Sequence, residues 1–244
     1  MILGGYYVCR EATMIFRQLF DKESCTYTYL IASGLGRETL IIDPVKEHTS
    51  TYLNLIKELG LKLVISIDTH CHADHVTAGG ALHLSTACQC AMGESSKVEG
   101  IHLKLKDDES VNIDGMKFRT LHTPGHTDDS YCFQFNDRIF TGDTLLIRGT
   151  GRTDFQNGDP YQQYASIQKK LFTLPDDTLV FPAHDYKGQT VSSIGEEKKH
   201  NPRLQVNSAD EYAEIMNNLS LPYPKKMDIA VPMNLQNGLM AQAS

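Results

Sequence analysis

A chain of 244 residues with 41% apolar and 22% charged side chains can bury a sizeable core in one large domain, and its usage is that of an ordinary globular protein. A net charge of -7, with no run of lysines and arginines, argues against a nucleic-acid or anionic-membrane partner. No apolar stretch reaches the roughly 18 residues that a membrane span needs, and the opening MILGGYYVCREATMIF lacks the layout of a secretory signal, so the expected location is cytoplasmic, with an organelle matrix as the alternative.

Taken in chain order, residues 25–32 (CTYTYLIA) are rich in Thr and Tyr and predict a strand. A turn at 33–36 leads into a returning strand over 38–43, which Pro44 ends. Apolar residues at helical spacing predict a helix over 51–59, stopped by Gly60. The apolar run 61–67 (LKLVISI) predicts a buried strand. A helix is expected over 76–84, a short strand over 90–92, a polar turn region over 106–115 and a strand over 116–122. Asn136-Asp137 between strand-like runs 131–135 and 138–140 predicts a hairpin. An amphipathic helix over 161–171, a strand over 178–181 and a helix over 210–219 follow, and the tail after Met227 reads as an appended strand or loop. Strand pairs and helices interleave without a linker, which predicts an α/β architecture of sheets layered between helices.

Six cysteines at positions 9, 25, 71, 88, 90 and 132 form no disulfide framework in a chain this long. Cys88 and Cys90 lack the second pair of a four-sulfur zinc site, so all six are expected to be reduced and mostly buried.

Chemistry-bearing residues gather in four segments, each just after a predicted strand. They are THCHADH at 69–75, TPGHT at 123–127, TGDT at 141–144 and PAHD at 182–185. Imidazole and carboxylate are the usual ligands of first-row divalent metals. Ligands at the ends of adjacent strands are fixed by the sheet, whereas one flexible loop holding three of them would lose much entropy. Gly125 and Gly142 let the backbone bend tightly beside an ion. A lone histidine before a turn is more often a surface or capping residue, and a lone Gly-Asp is usually a turn. In the 70–75 cluster, however, every position but Ala73 carries a ligand-type side chain.

The succession H-x-H-x-D-H, P-G-H-T, G-D-T and P-A-H-D resembles the metallo-β-lactamase superfamily. That resemblance implies an αββα sandwich as a single domain, with the metal site at one edge. Residues 14–244 would form this domain with a short C-terminal extension, after a leading segment, 1–13, whose order the sequence does not set. Within the superfamily the chain resembles the persulfide dioxygenases of the ethylmalonic encephalopathy protein type. The segments that carry the likeness are FRQLF at 16–20, SCTYTYL at 24–30, IDPV at 42–45, LIRGTGRTDFQ at 146–156, PAHDYKG at 182–188, NPRL at 201–204 and AVP at 230–232.

The resemblance implies one Fe(II) per chain, held by His70, His126 and Asp143, with glutathione persulfide and O2 as substrates. His72, Asp74, His75 and His184 would then surround the iron as a vestigial second site, orienting its ligands by hydrogen bonds. Arg152, Tyr186 and Arg203 are the candidates to hold glutathione, although Arg152 could simply pair with Asp154, Tyr186 could simply pack and Arg203 could sit in a structural ion pair. Cys71 is expected to pack. A homodimer and a separate sulfurtransferase are the partners suggested, since the chain contains no rhodanese-like segment. The alternative is a glyoxalase II-type dinuclear zinc hydrolase of glutathione thioesters. That family adds a glutathione-holding helical region, for which the 60 residues after His184 are few.

Overall fold

The computed structural model of the chain describes residues 14–240. Cys9 and the leading segment 1–13 lie outside the described residues.

Two six-stranded sheets face each other. The first runs in the order β1 (Ile15–Asp21), β2 (Thr26–Ala32), β3 (Glu38–Ile42), β4 (Lys62–Ile67), β5 (Gln89–Gly93), β6 (Leu103–Leu105). The second runs β12 (Ser192–Ser193), β11 (Leu179–Pro182), β10 (Arg138–Gly142), β9 (Tyr131–Gln134), β8 (Met116–His122), β7 (Ser110–Ile113). Helices α1 (Thr49–Glu58) and α2 (Gly79–Thr86) follow β3 and β4, as parallel β3–β4 and β4–β5 pairing requires. Helices α3 (Pro160–Ser166, continued by a π-type turn over Ile167–Leu171), α4 (Ile194–His200) and α5 (Ala209–Asn217) serve the second sheet.

Strand alternation explains the layering. β2 is buried on both faces. Its Tyr27, Tyr29 and Ile31 join Phe118, Phe133, Phe140 and Phe181 of the other sheet in the central core. Its Leu30 and Ala32 pack with Tyr52, Ile56 and Leu82 of α1 and α2. On the far side, Cys132, Ile139 and Val180 meet Ile167, Ile194, Tyr212 and Met216. Three apolar layers between two sheets and two helix sets give the αββα sandwich. The Tyr29 hydroxyl, enclosed in the central layer, donates to the Pro182 carbonyl across it (2.6 Å).

Two sequence expectations fail. The polar region 106–115 contains β7, an edge strand paired with β8 through register Ser110↔Arg119 to Ile113↔Met116. Only Ile113 of β7 is fully buried, so the strand carries little apolar signal. The tail forms helix α6 (Met227–Asn234), not a strand or loop. Pro232 argues against a helix there. The bond it forgoes is to the Asp228 carbonyl, and both residues are exposed, so water can serve that group. α4 was also invisible to apolar periodicity: Ile194 is the one aliphatic residue in IGEEKKH. It is set by its Ser193 cap, whose Oγ accepts from the Glu196 amide (3.2 Å), and by buried Glu197. Glu197 accepts from Arg148, the Arg148 amide, Ser192 and Asn201, holding the 146–149 loop down.

Candidate metal centre

All four predicted segments converge at one edge of the sandwich, where the two sheets touch. The Tyr27 amide donates to the Ala183 carbonyl (2.7 Å), and Thr26 bridges to His184. The tight bends expected of Gly125 and Gly142 are present, at φ +144° and +51°. A Cβ on Gly125 would stand 2.3 Å from the Gln163 backbone, so helix α3 presses against the PGH loop.

Donor atoms of His70, His126 and Asp143 lie within 4.8 Å of one another. Hydrogen bonds fix the tautomers of both rings. Thr69 Oγ1 donates to Asp43 Oδ2 (3.0 Å), so it accepts from His70 Nδ1–H (3.0 Å). His126 Nδ1–H donates to the Arg152 carbonyl (2.6 Å). Each ring therefore turns an Nε2 lone pair to the site, the form a metal takes. Asp143 Oδ1 accepts from His184 Nδ1 (2.7 Å), while Oδ2 lies 3.5 Å from His126 Nε2. This donor set fits a divalent first-row metal.

The other four residues are bound mainly to acids and to each other. His184 donates from Nδ1 to Asp143 and from Nε2 to Asp74 (2.9 Å). Burial lowers its pKa, but the two carboxylates outweigh burial and raise it well above the ordinary value. Burial raises Asp143 and Asp74, yet His184 and its histidine neighbours hold both carboxyls low. His75 Nδ1 lies 2.8 Å from Asp74 Oδ2. His72 Nε2 is turned to Asp43 Oδ1 (3.1 Å), which outweighs burial and pushes its pKa up to about 9. His72 Nδ1 and His75 Nε2 are buried without a hydrogen bond, the former 4.0 Å from Asp74 Oδ1. His70, buried beside His72 and His126, is held well below the ordinary imidazole value.

A cleft of about 610 Å³ opens onto His126, Asp143 and His184. Arg152, Tyr186 and Arg203 all line it. Arg152 forms the pair with Asp154 (2.6 and 2.7 Å), donates to the Pro222 carbonyl (2.8 Å) and covers the Phe155 ring. Arg203 donates to the Thr150 carbonyl and is half-buried. Tyr186 is exposed and stacks parallel to His184, centroids 6.1 Å apart. Cys71 packs with Met92 and Val98, as expected, and burial pushes its thiol up to about 12. Cys25 is half-exposed, while Cys71, Cys88, Cys90 and Cys132 are buried free thiols.

Sequence reasoning missed several contributors. Thr26 Oγ1 reaches Asp74, His75 and His184 (3.0, 3.3 and 3.1 Å). Asp43, at φ +50°, organises the first histidine loop by accepting from the Thr69 amide (2.7 Å), the Thr69 hydroxyl and His72. Asn234 of α6 accepts from the Thr77 amide (2.9 Å) and donates to the His72 and His75 carbonyls (2.9 and 2.8 Å). Residues 221–227 wall the cleft and bring Lys225 to it. A Thr, an Asp and an Asn remote from the motifs carry no spacing signal; the LPYPKK run at 221–226 was the one compositional hint.

Among the described residues no helix is long and apolar enough to cross a membrane. A profile described as Metallo-beta-lactamase superfamily matches residues 93–184. The chain is 45% identical to the mouse (Mus musculus) persulfide dioxygenase ETHE1, mitochondrial, over 96% of its length and 92% of the relative's. A crystal structure of ETHE1 from Myxococcus xanthus superposes with a TM-score of 0.90 at 50% identity, covering 92% of this chain and 100% of that one. A hydroxyacylglutathione hydrolase of Methylococcus capsulatus is more distant, 35% identical over 66% of this chain and 62% of the relative. Fold, motif order and near full-length likeness agree: the chain belongs to the persulfide dioxygenase family, within the metal-binding metallo-beta-lactamase superfamily.

Proposed function

We propose that this protein is a persulfide dioxygenase that converts glutathione persulfide, O2 and water to glutathione and sulfite, using one Fe(II) held by His70, His126 and Asp143. The observation that carries this reading is the division of the seven ligand-type residues. Two rings have their tautomers fixed to face one carboxylate, and the remaining four side chains are engaged mainly with one another or with Asp43. His70, His126 and Asp143 would hold Fe(II) as a two-histidine, one-carboxylate set, and the ion would supply redox chemistry toward a soft sulfur anion and dioxygen brought together at one site.

The chain's own residues prepare that site. His184 holds Asp143 Oδ1 and leaves Oδ2 for the metal. The Asp43–Thr69 relay and the Arg152 carbonyl stop His70 and His126 from rotating. Leu146, Ile147, Phe155 and Leu221 line the cleft and limit water around the reacting sulfur. Lys187 and Lys225 line the same cleft and form no ion pair among the described residues, so they join Arg152, Arg203 and the Tyr186 hydroxyl as partners for the glutathione carboxylates.

The same reading takes residues 14–244 as one domain, a homodimer as the assembly and a separate sulfurtransferase as a partner. For location, the word mitochondrial in the mouse relative's name supports the organelle-matrix alternative to the cytoplasm.

Metal analysis combined with oxygen uptake tests the function. Anaerobically purified protein should carry a single iron and consume O2 with glutathione persulfide. Two zinc ions per chain with hydrolysis of lactoylglutathione would establish the glyoxalase II-type alternative instead.

A further inference from the structure

Outside the cleft, one other mixed cluster stands out. His83 in the last turn of α2, Cys90 on β5 and His102 just before β6 place a donor atom each within 4.8 Å of the others. None of the three lines the cleft. We propose that His83, Cys90 and His102 form a second, remote metal site that takes Zn2+, with water as the fourth ligand.

The donor chemistry selects the ion: two imidazoles and a thiolate suit zinc, and hard cations such as Mg2+ and Ca2+ favour oxygen. The local structure prepares the site. The His83 Nδ1–H donates to the Cys88 carbonyl (2.7 Å), which leaves the Nε2 lone pair free for a metal. The His102 amide donates to the Cys90 carbonyl (2.9 Å), so strand pairing holds those two residues side by side. The His83 and His102 rings lie 4.2 Å apart, tilted by 34°, and neither forms an ion pair among the described residues. His102 is exposed, His83 half-buried and Cys90 buried, its thiol now donating to the Gly79 carbonyl (3.3 Å).

Two adjustments accompany binding. Burial pushes the Cys90 thiol up to about 12, with the Asn237 side chain pulling the other way, so the metal displaces a proton from sulfur to solvent. His102 Nδ1 now accepts from the Cys90 amide (3.1 Å), and that lone pair must be given to the cation. Tetrahedral zinc needs donors about 3.3–3.8 Å apart, and the exposed His102 side chain can move to close any gap left within the 4.8 Å spread. The bound ion would tie α2 to the β5–β6 edge.

The test uses the iron-loaded full chain titrated with Co2+ as a spectroscopic stand-in for Zn2+. The expected result is one further equivalent bound with a thiolate-to-cobalt charge-transfer band, which Zn2+ bleaches. No thiolate ligates the iron in the proposed centre, so the band reports this site alone. Cys90→Ser should abolish the band, the milder surface change His102→Ala should weaken the second equivalent by more than the ~10-fold that loss of a merely orienting residue can cost, and Asp143→Ala should leave the band in place. Absence of the band from the parent protein, or its persistence in Cys90→Ser, would overturn the proposal.

Discussion

Asp143 is the one carboxylate of the proposed iron set, and its Oδ1 is already committed to His184. Asp143→Ala should therefore cut iron occupancy to a small fraction, read by metal analysis after anaerobic purification. Full occupancy in that variant would remove Asp143 from the ligand set. His75→Ala should retain most of the iron, because His75 contacts Asp74 and Thr26 and not the His70–His126–Asp143 donors; loss of all metal would point to a dinuclear centre. Arg152 has three guanidinium nitrogens engaged by Asp154 and Pro222, yet faces the cleft. Arg152→Ala should raise KM for the persulfide about tenfold with kcat little changed, as for lost uniform binding. An unchanged KM in steady-state oxygen uptake would take it out of the substrate site.

At the scale of elements, the 146–149 loop and α4 are joined by buried Glu197, which serves four donors. Glu197→Ala should destabilise the fold by about 2–4 kcal/mol, since it strands the Arg148 amide, breaks the buried ion pair with Arg148 and takes one of two acceptors from Ser192 and Asn201. Urea unfolding checks this, and a loss under about 0.5 kcal/mol, the usual range for a surface change, would show that the network is not structural. The same region shows what a sequence can carry. The helix over 51–59, the strands over 61–67 and 116–122 and the hairpin at Asn136-Asp137 were legible because apolar periodicity or turn chemistry is a local property. α4 and α6 were not. One depends on a buried glutamate and the other on an asparagine bonded to a loop about 160 residues earlier, which are tertiary facts. The 70–75 motif was legible because ligand types crowd together in it, and the single His126 and Asp143 only through their place in the succession of motifs. The hydrogen bonds that fix each ring came from Thr69 and the Arg152 carbonyl, a common residue and a backbone group with no signature.

The whole molecule is a sandwich whose two sheets meet at the metal edge, locked there by the far end of the described chain. Asn234 satisfies the Thr77 amide and the His72 and His75 carbonyls from its place in α6. Asn234→Ala should cost about 2–4 kcal/mol, because it strands three buried backbone groups. It should also weaken iron affinity about tenfold, in the manner of other residues that orient ligands. Thermal unfolding and a chelator competition measure the two effects, and wild-type values in both would show that the loop holds its shape alone. This closure has a consequence for synthesis. On a ribosome the histidine loop emerges long before its asparagine clasp, so the nascent polypeptide offers an unfinished cradle. Stable iron capture should then be a late event, following release of the last turns rather than guiding the first ones.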